Sequence, residues 1–353
     1  GLLIELRVMC AGPGGAVMAG EKIVREKAMI GAYFGLLTRG FAGAFDLAGD
    51  CAAITPEPGC GLIVTTDAVV AGVHVFADED PGAIAWKALA VNISDLAAKG
   101  AAPRAYLMML SLPEAPERGW LHAFCEGLRA AQEAFGCHLV GGDTDRVPGT
   151  LSVAITAMGS VPSGRMVRRG AARPGDHLYV SGTIGDAALG LALRKDPGLA
   201  ARCRLDPGMV AALDAAYARP RPPVALAPVL LAHARAAMDV SDGLVKDFSR
   251  MCRASGAGGR IDAARVPLSP AALAAIAASE IALEDLLSGG EDYQALAAVA
   301  PDSAADFESA AAAAAMPVTR IGAVAEPEAG YHVVDIDGRP LTLSRTGWDH
   351  FQP

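Results

Sequence analysis

DPGAIAWKALAVNISDLAAKGA spans residues 80–101, and AYLMMLSLP follows at 105–113. Asp80 and Pro81 form a good N-cap and first-turn pair, and Gly100 closes the pattern, so the first stretch predicts a helix. The second is a continuous apolar run of strand length, so it predicts a buried strand. Upstream, REKAMIGAYFGLLTR (25–39) has helical spacing, and CAAI (51–54) and GLIVTTDAVV (61–70) predict strands joined through a PEPG turn. Downstream come a helix over 117–135, a short strand in HLVGGDTD (138–145) that runs into glycines and acids, and a strand in LSVAITAMGSV (151–161). A new unit starts at PGDHLYVSG (174–182), which puts the domain boundary near 165–175. Beyond it, GTIGDAALGLALR predicts a turn and a helix. Residues 221–234 are broken by prolines and then helical. AMDVSDGLVKDFSRMCRASG (237–256) predicts a strand, a polar turn and a helix. SGGEDY is an acidic turn before the strand QALAAVA, an Ala-rich helix covers 308–316, and IGAV and YHVVDIDG supply the last strands, with DG as a hairpin turn. Strands alternate with helices through two halves of similar size, which predicts two α/β domains.

At 353 residues the chain can bury a large core and hold both domains. Its formal net charge of -9 argues against a nucleic-acid partner, and it means that an anionic substrate needs cations or helix N-termini beside it. Seven scattered cysteines, an odd number, argue against a disulfide scaffold and for a reducing, cytoplasmic setting. No apolar run reaches the length of a membrane span, so no membrane partner is expected. Residues 1–24 hold Glu5, Arg7 and a Gly/Pro break. They lack the ordered regions of a signal peptide and are expected to be an N-terminal extension.

Aspartates recur where strands are expected to end in turns of small residues: Asp50, Asp67, Asp95, Asp143, Asp239 and Asp242. One such residue is ordinarily a cap or a turn. Six in a chain of modest charge are harder to dismiss, and a shared site is a reading that their spacing alone leaves open. Carboxylate and hydroxyl oxygens suit Mg²⁺, and no CxxC or HExxH segment offers a zinc site. Clustered carboxylates repel one another unless cations lie between them, and a polyphosphate would complete the coordination of those cations, which fits nucleotide phosphoryl transfer. GxxxxGK[ST] is absent, so the site is not a P-loop. GTIGDAALG (182–190) is a glycine turn opening a helix. From its spacing it can hold phosphate or be a plain junction.

Taken together, TTDAVVAGVHV, KALAVNISDLAAKGA, LVGGDT, RRGAARPGD, VSGTIGDAALGL, DVSDGL, LSGGEDY and GWDHF resemble the thiamine-monophosphate kinase family, within the aminoimidazole-ribonucleotide-synthetase-like superfamily. The resemblance runs from about residue 25 to 351. It implies an α/β (α+β) chain with the two-domain aminoimidazole-ribonucleotide-synthetase-like fold, mixed sheets flanked by helices. Residues 25–168 would form the ATP- and metal-binding, dimerising domain and 169–353 the C-terminal domain. It also implies a homodimer, with ATP near the interface, and direct in-line transfer of the γ-phosphoryl of ATP to thiamine monophosphate with Mg²⁺. A K⁺ requirement is left open. By the same resemblance the metal ligands are Asp50, Thr65, Thr66, Asp67, Asp95, Asp143, Asp239 and Asp242. The nucleotide contacts are Gly142, Asp143, Arg168 and Ser241, and the substrate contacts are His74, Glu291 and Trp348. Asp67, Asp143, Asp242 and Arg168 would act most directly on the transferring group.

The chemistry suits these residue types. A phosphate acceptor is already a nucleophile, so the demand is to hold two anions in line and offset their repulsion. Arg168 can grip phosphate oxygens with two parallel bonds, Trp348 can stack on a cationic ring, and Glu291 can offset that charge or hold an aminopyrimidine. The residues alone leave plainer roles open. His74 can pack at a strand end, Trp348 can lid the core, Glu291 and Asp292 can form a solvated turn, Arg168 and Arg169 can be surface, and Ser241 can cap a helix. Two positions depart from the family pattern. Gly49 replaces the first acid of a GDD pair, and Lys99 replaces an apolar residue, where its charge suits the helix end and need not touch the site. A related enzyme acting on another small metabolite, or a nucleotide-binding homologue that has lost turnover, therefore remain the alternatives.

Overall fold

The computed structural model describes residues 26–344 and 346–348. The extension expected at 1–24 and the Asp349–Phe351 end of the terminal motif lie outside the described residues. The strands are β1 (Cys60–Val70), β2 (Ala102–Leu112), β3 (His138–Arg146), β4 (Ser152–Pro162), β5 (His177–Ser181), β6 (Ala234–Val240), β7 (Gly258–Asp262), β8 (Gln294–Val299), β9 (Val318–Ala325) and β10 (Tyr331–Val334). The first eight helices are α1 (Glu26–Ala32), α2 (Pro81–Ala98), α3 (Arg118–Phe135), α4 (Asp186–Lys195), α5 (Leu199–Arg202), α6 (Pro207–Ala218), α7 (Ala227–His233) and α8 (Leu244–Ser255). One sheet has the order β1-β4-β2-β3, the other β10-β7-β9-β5-β8-β6. The β2–β3 and β7–β10 pairs are parallel and the remaining pairs antiparallel, so both sheets are mixed, as the expected fold class requires.

Helix α2 is the hub. The Asp80 carboxylate accepts the Ala83 N–H at 2.8 Å, and Pro81 occupies the first turn. Every α2 residue but Pro81 and Asp95 is buried. Its many alanines let β1, β4 and α3 approach from one side and β6 and β8 of the second sheet from the other. Gly127 of α3 lies flat on the Gly82 backbone, with no room for a Cβ. Tyr106, Phe124 and Leu128 fill the first core and Leu178, Phe248 and Ile321 the second, all essentially fully buried. Each such side chain stabilises the fold by about 1.5–3 kcal/mol.

Alternation along the first sheet sorts its residues by face. Thr65 and Asp67 face α2. Thr66, with Leu62, Val64, Leu107, Met109 and Asp143, is carried by the pairing register to the opposite face. That open face keeps Val64 59% exposed and Leu62, Leu107 and Met109 more than a third exposed.

Three local expectations are corrected. Residues 51–54 do not form a strand. The Ala53 N–H bonds the Gly43 carbonyl at 2.8 Å, while Ala52 and Ile54 pack on Ala44, Val140 and Met158, so packing over the sheet satisfies their apolar pattern without pairing. The helix over 25–39 breaks after Ala32 into a 3₁₀ segment, Phe34–Thr38, across aromatic residues and Gly35, which favour an α-helix poorly. The acids are not all at strand ends: Asp67 and Asp143 lie inside β1 and β3, and Asp95 lies in α2. Pairing of Val69 and Val70 with β4 carries β1 past Asp67, and only Asp239 and Asp242 flank a strand end.

Candidate active site

A cavity of about 600 Å³ opens between the two sheets. Asp67, His74, Asp95, Asp239, Ser241, Asp242, Glu291 and Trp348 all line it. One loop organises its C-terminal half. Asp247 of α8 is fully buried, and its Oδ2 accepts the N–H groups of Ser241 and Asp242, both at 2.9 Å. Its Oδ1 pairs with Arg250 at 2.8 Å, and Arg250 also holds the Asp242 carboxylate at 2.6 Å. Burial raises the Asp247 pKa, and the bond from the Asp242 N–H opposes the rise. Ser241 is therefore not the helix cap: Gly243 holds that position, and the aspartate inside the helix secures the loop.

The SGGEDY turn rests on this loop. Gly290 (φ 73°) lies against the Ser241 carbonyl, where a Cβ would clash. Glu291 follows with φ 64°, a conformation rare for a residue with a side chain, and its N–H donates to Ser241 O at 2.7 Å. The Trp348 N–H donates to Asp242 O at 2.9 Å, and Lys246 donates to the Trp348 carbonyl. Glu291 and Trp348 thus hang from the loop that presents Asp242.

The N-terminal half comes from β1 and α2. The Asp67 N–H donates to Asn92 Oδ1 at 2.9 Å, and Thr65 Oγ1 donates to Asp95 Oδ2 at 2.5 Å. Ser94 Oγ donates to Asp239 Oδ2 at 3.0 Å, which ties the halves together. Burial, then the charges of Asp95 and Asp247, push the Asp239 carboxyl up to about 7. Lys99 turns inward, donating to Ala237 O at 2.9 Å two residues before Asp239, with its pKa lowered by burial. Its charge is therefore not a solvent-facing helix-end charge. His74 Nδ1 accepts the Val70 N–H at 3.1 Å within a tight turn.

The other predicted residues lie elsewhere. Asp50 is exposed after a 3₁₀ turn, and a Cβ at Gly49 beside it would meet only the Cys51 carbonyl, at 3.9 Å. Thr66 bonds Ile155 O and Thr156 on the open face of the sheet. Gly142 and Asp143 are exposed on β3, at the far edge of the sheet from β1. Gly142 (φ 148°) is required because a Cβ there would strike Met108. Arg168 is exposed, and its backbone bridges Ala236 beside the site. In GTIGD, the Gly185 N–H is taken by Asp292 Oδ1 at 2.9 Å, which supports the plain-junction reading of that turn.

Lys87, Asn92, Ser94, Tyr217 and Asp247 were not predicted, yet they secure or line the site. The first three had a signal, being polar positions inside an otherwise apolar helix. Among the described residues, no three His, Cys, Asp or Glu side chains are placed to hold a metal ion by themselves. Mg²⁺ ordinarily takes one or two carboxylates with phosphate oxygens and water, so the hard-oxygen set Asp67, Asp95, Asp239 and Asp242 fits it as a partner for a bound phosphate.

Residues 48–161 match the family described as AIR synthase related protein, N-terminal domain, and 173–335 match its C-terminal domain. A thiamine-monophosphate kinase of Caulobacter vibrioides is 41% identical over 323 residues, 89% of this chain and 87% of the relative. The crystal structure of thiamine-monophosphate kinase from Stenotrophomonas maltophilia K279a superposes with a TM-score of 0.72 at 37% identity, covering 84% of this chain and 91% of that one. AaThiL complexed with AMPPCP and TMP gives 0.71 at 32% identity, over 84% and 89%. The chain belongs to the thiamine-monophosphate kinase family, built from the paired AIR synthase related domains.

Proposed function

We propose that the chain transfers the γ-phosphoryl group of ATP to thiamine monophosphate, giving thiamine diphosphate and ADP, with Mg²⁺. The observation that carries this reading is one cavity lined by four aspartates together with His74, Glu291 and Trp348. An acceptor phosphate oxygen attacks the γ-phosphorus in line, the bond to the β–γ bridging oxygen breaks, and ADP leaves. The acceptor is already anionic, so no side chain needs to remove a proton. Asp67, Asp95, Asp239 and Asp242 hold Mg²⁺, with Thr65 orienting Asp95. The metal, when bound, offsets the charge of the two phosphate groups. Ser241 and Arg168 serve the nucleotide, and His74, Glu291 and Trp348 position the acceptor.

Asp50, Thr66, Gly142 and Asp143 act in a homodimer. The open sheet face carrying Val64, Leu62, Leu107 and Met109 supports this, because exposed apolar groups on one face suit a second copy of the chain. The division into 25–168 and 169–353 gives each domain one sheet.

The test is ADP release with thiamine monophosphate, thiamine or an aminoimidazole precursor supplied separately, with and without Mg²⁺ and K⁺. Mg²⁺-dependent release only with thiamine monophosphate is expected, and faster turnover of another acceptor overturns the reading. Gly49 favours a second reading, a nucleotide-binding homologue without turnover. Tight ATP binding by calorimetry with no product from any acceptor would select it.

A further inference from the structure

Lys87 lies in the middle of α2, and none of its side chain is exposed. Its ammonium meets Glu291 Oε1 at 2.9 Å, donates to the His74 carbonyl at 2.9 Å, and sits 4.0 Å from the centre of the Tyr217 ring. These partners come from a loop of the first sheet, a loop of the second sheet and helix α6, and all line the cavity. Burial lowers the Lys87 pKa and the Glu291 charge opposes that. A buried ammonium persists only with such a partner, so the pair is mutually dependent.

Glu291 remains partly exposed and lines the cavity, with Oε1 committed to Lys87. On the α4 side the cavity carries no surplus of negative charge. Lys195 lines it, and Arg194 is matched by Glu79 and by Asp214 at 2.6 Å. Its apolar walls are Phe76, Leu191 and Tyr217.

We infer that Lys87 is a specificity-determining positioning residue: by neutralising Glu291 it makes that carboxylate a hydrogen-bond acceptor for an uncharged N–H donor, such as a ring amino group, and not a counter-ion for a cationic ring. This rests on the acceptor being thiamine monophosphate. Its aminopyrimidine then lies at the Glu291 end, and its cationic ring is left to Trp348.

The experiment compares wild type, Lys87→Met, Glu291→Gln and the double variant. It records kcat, KM for each substrate and the melting temperature, and it repeats the assay with an acceptor whose amino group is replaced by a carbonyl oxygen. Lys87→Met is expected to raise the acceptor KM about tenfold or more, with the ATP KM within about twofold. The carbonyl acceptor is expected to lose about tenfold on wild type and much less on Glu291→Gln, and the double variant to be no worse than Glu291→Gln alone. Equal shifts in both KM values, additive losses in the double variant, or full use of the carbonyl acceptor by wild type would each overturn the inference. If Lys87→Met does not fold, the double variant, which removes both charges together, and the wild-type acceptor comparison decide it. Absence of wild-type turnover with thiamine monophosphate overturns the functional reading and this inference with it, whereas wild-type turnover with any of the other adverse results overturns the inference alone.

Discussion

The acids of the cavity and the acids of the open sheet face share one chemistry and differ in how they are held. Asp239 and Asp242 are held by Ser94 and Arg250, Asp95 receives the Thr65 hydroxyl, and the Asp67 backbone is tied to Asn92. Asp143 and Asp50 are exposed on a sheet edge and a turn, and the Asp143 carboxylate accepts the N–H of the adjacent Thr144. The protein thus prepays the repulsion of the first group with hydrogen bonds and an ion pair built into the fold. The second group depends on what arrives: nucleotide, cation or a second copy of the chain.

The largest effect should follow from Asp242→Asn. The loop below it stays secured by Asp247, which keeps Arg250, so the fold is spared. A kcat loss of about 10²–10³-fold is expected, with the melting temperature almost unchanged, since charge aimed at a transferring group is usually worth that much. A Mg²⁺ titration with unchanged kinetics would remove the distinction between the two groups. Asp143→Asn should cost less, about tenfold and mainly in the ATP KM. Wild-type specific activity should fall on dilution if that residue works across a dimer. Loss of Asp143 without any concentration dependence would place its role within one chain.

Trp348→Ala should be milder still. The ring is 51% exposed and its backbone supplies the contacts to Asp242 and Lys246, so alanine keeps the scaffold. A rise of a few-fold in the acceptor KM, with the ATP KM unmoved, is expected for loss of a stacking face. Equal rises in both would make the ring a lid on the fold.

The alternation of elements, the α2 cap and the loops around Asp242 and Glu291 were legible in the sequence because local rules govern them: Asp-Pro at a helix start, glycines where two backbones touch. Residues 51–54 misled because an apolar tetrapeptide packs equally well over a sheet as in it, and pairing is a long-range choice. The ordered motifs placed eight predicted residues around one cavity. The partition of the remainder was not legible, because strand register decides which neighbour of a pair faces the site: Thr65 and Thr66 are adjacent, yet they lie on opposite faces of β1. Lys87 and Asp247 were passed over because a charge within a helix ordinarily reads as solvated surface.

The smallest effect isolates the same contrast between adjacent acids. Glu291 is paired with Lys87, while Asp292 beside it is buried, and its Oδ2 finds no hydrogen-bond partner among the described residues. Burial pushes the Asp292 carboxyl well above the usual range, opposed by the bond from the Gly185 N–H. The folded state therefore holds a proton that the unfolded chain gives up. The stabilisation is complete at pH below the ordinary carboxylate value and is lost as pH rises toward the raised one. Asp292→Asn keeps an oxygen for the Gly185 N–H and cannot ionise. The wild-type melting temperature should fall relative to that of the variant as pH rises above the ordinary carboxylate range, by a few degrees, since about 1 kcal/mol moves a domain of this size by about 2–4 °C. Because Asp239 and Asp247 also titrate upward, the difference between the two proteins is the measurement. Parallel curves would mean that Asp292 stays ionised, and that water or a cation compensates it in the small cavity it shares with Thr183, Arg219 and Arg221.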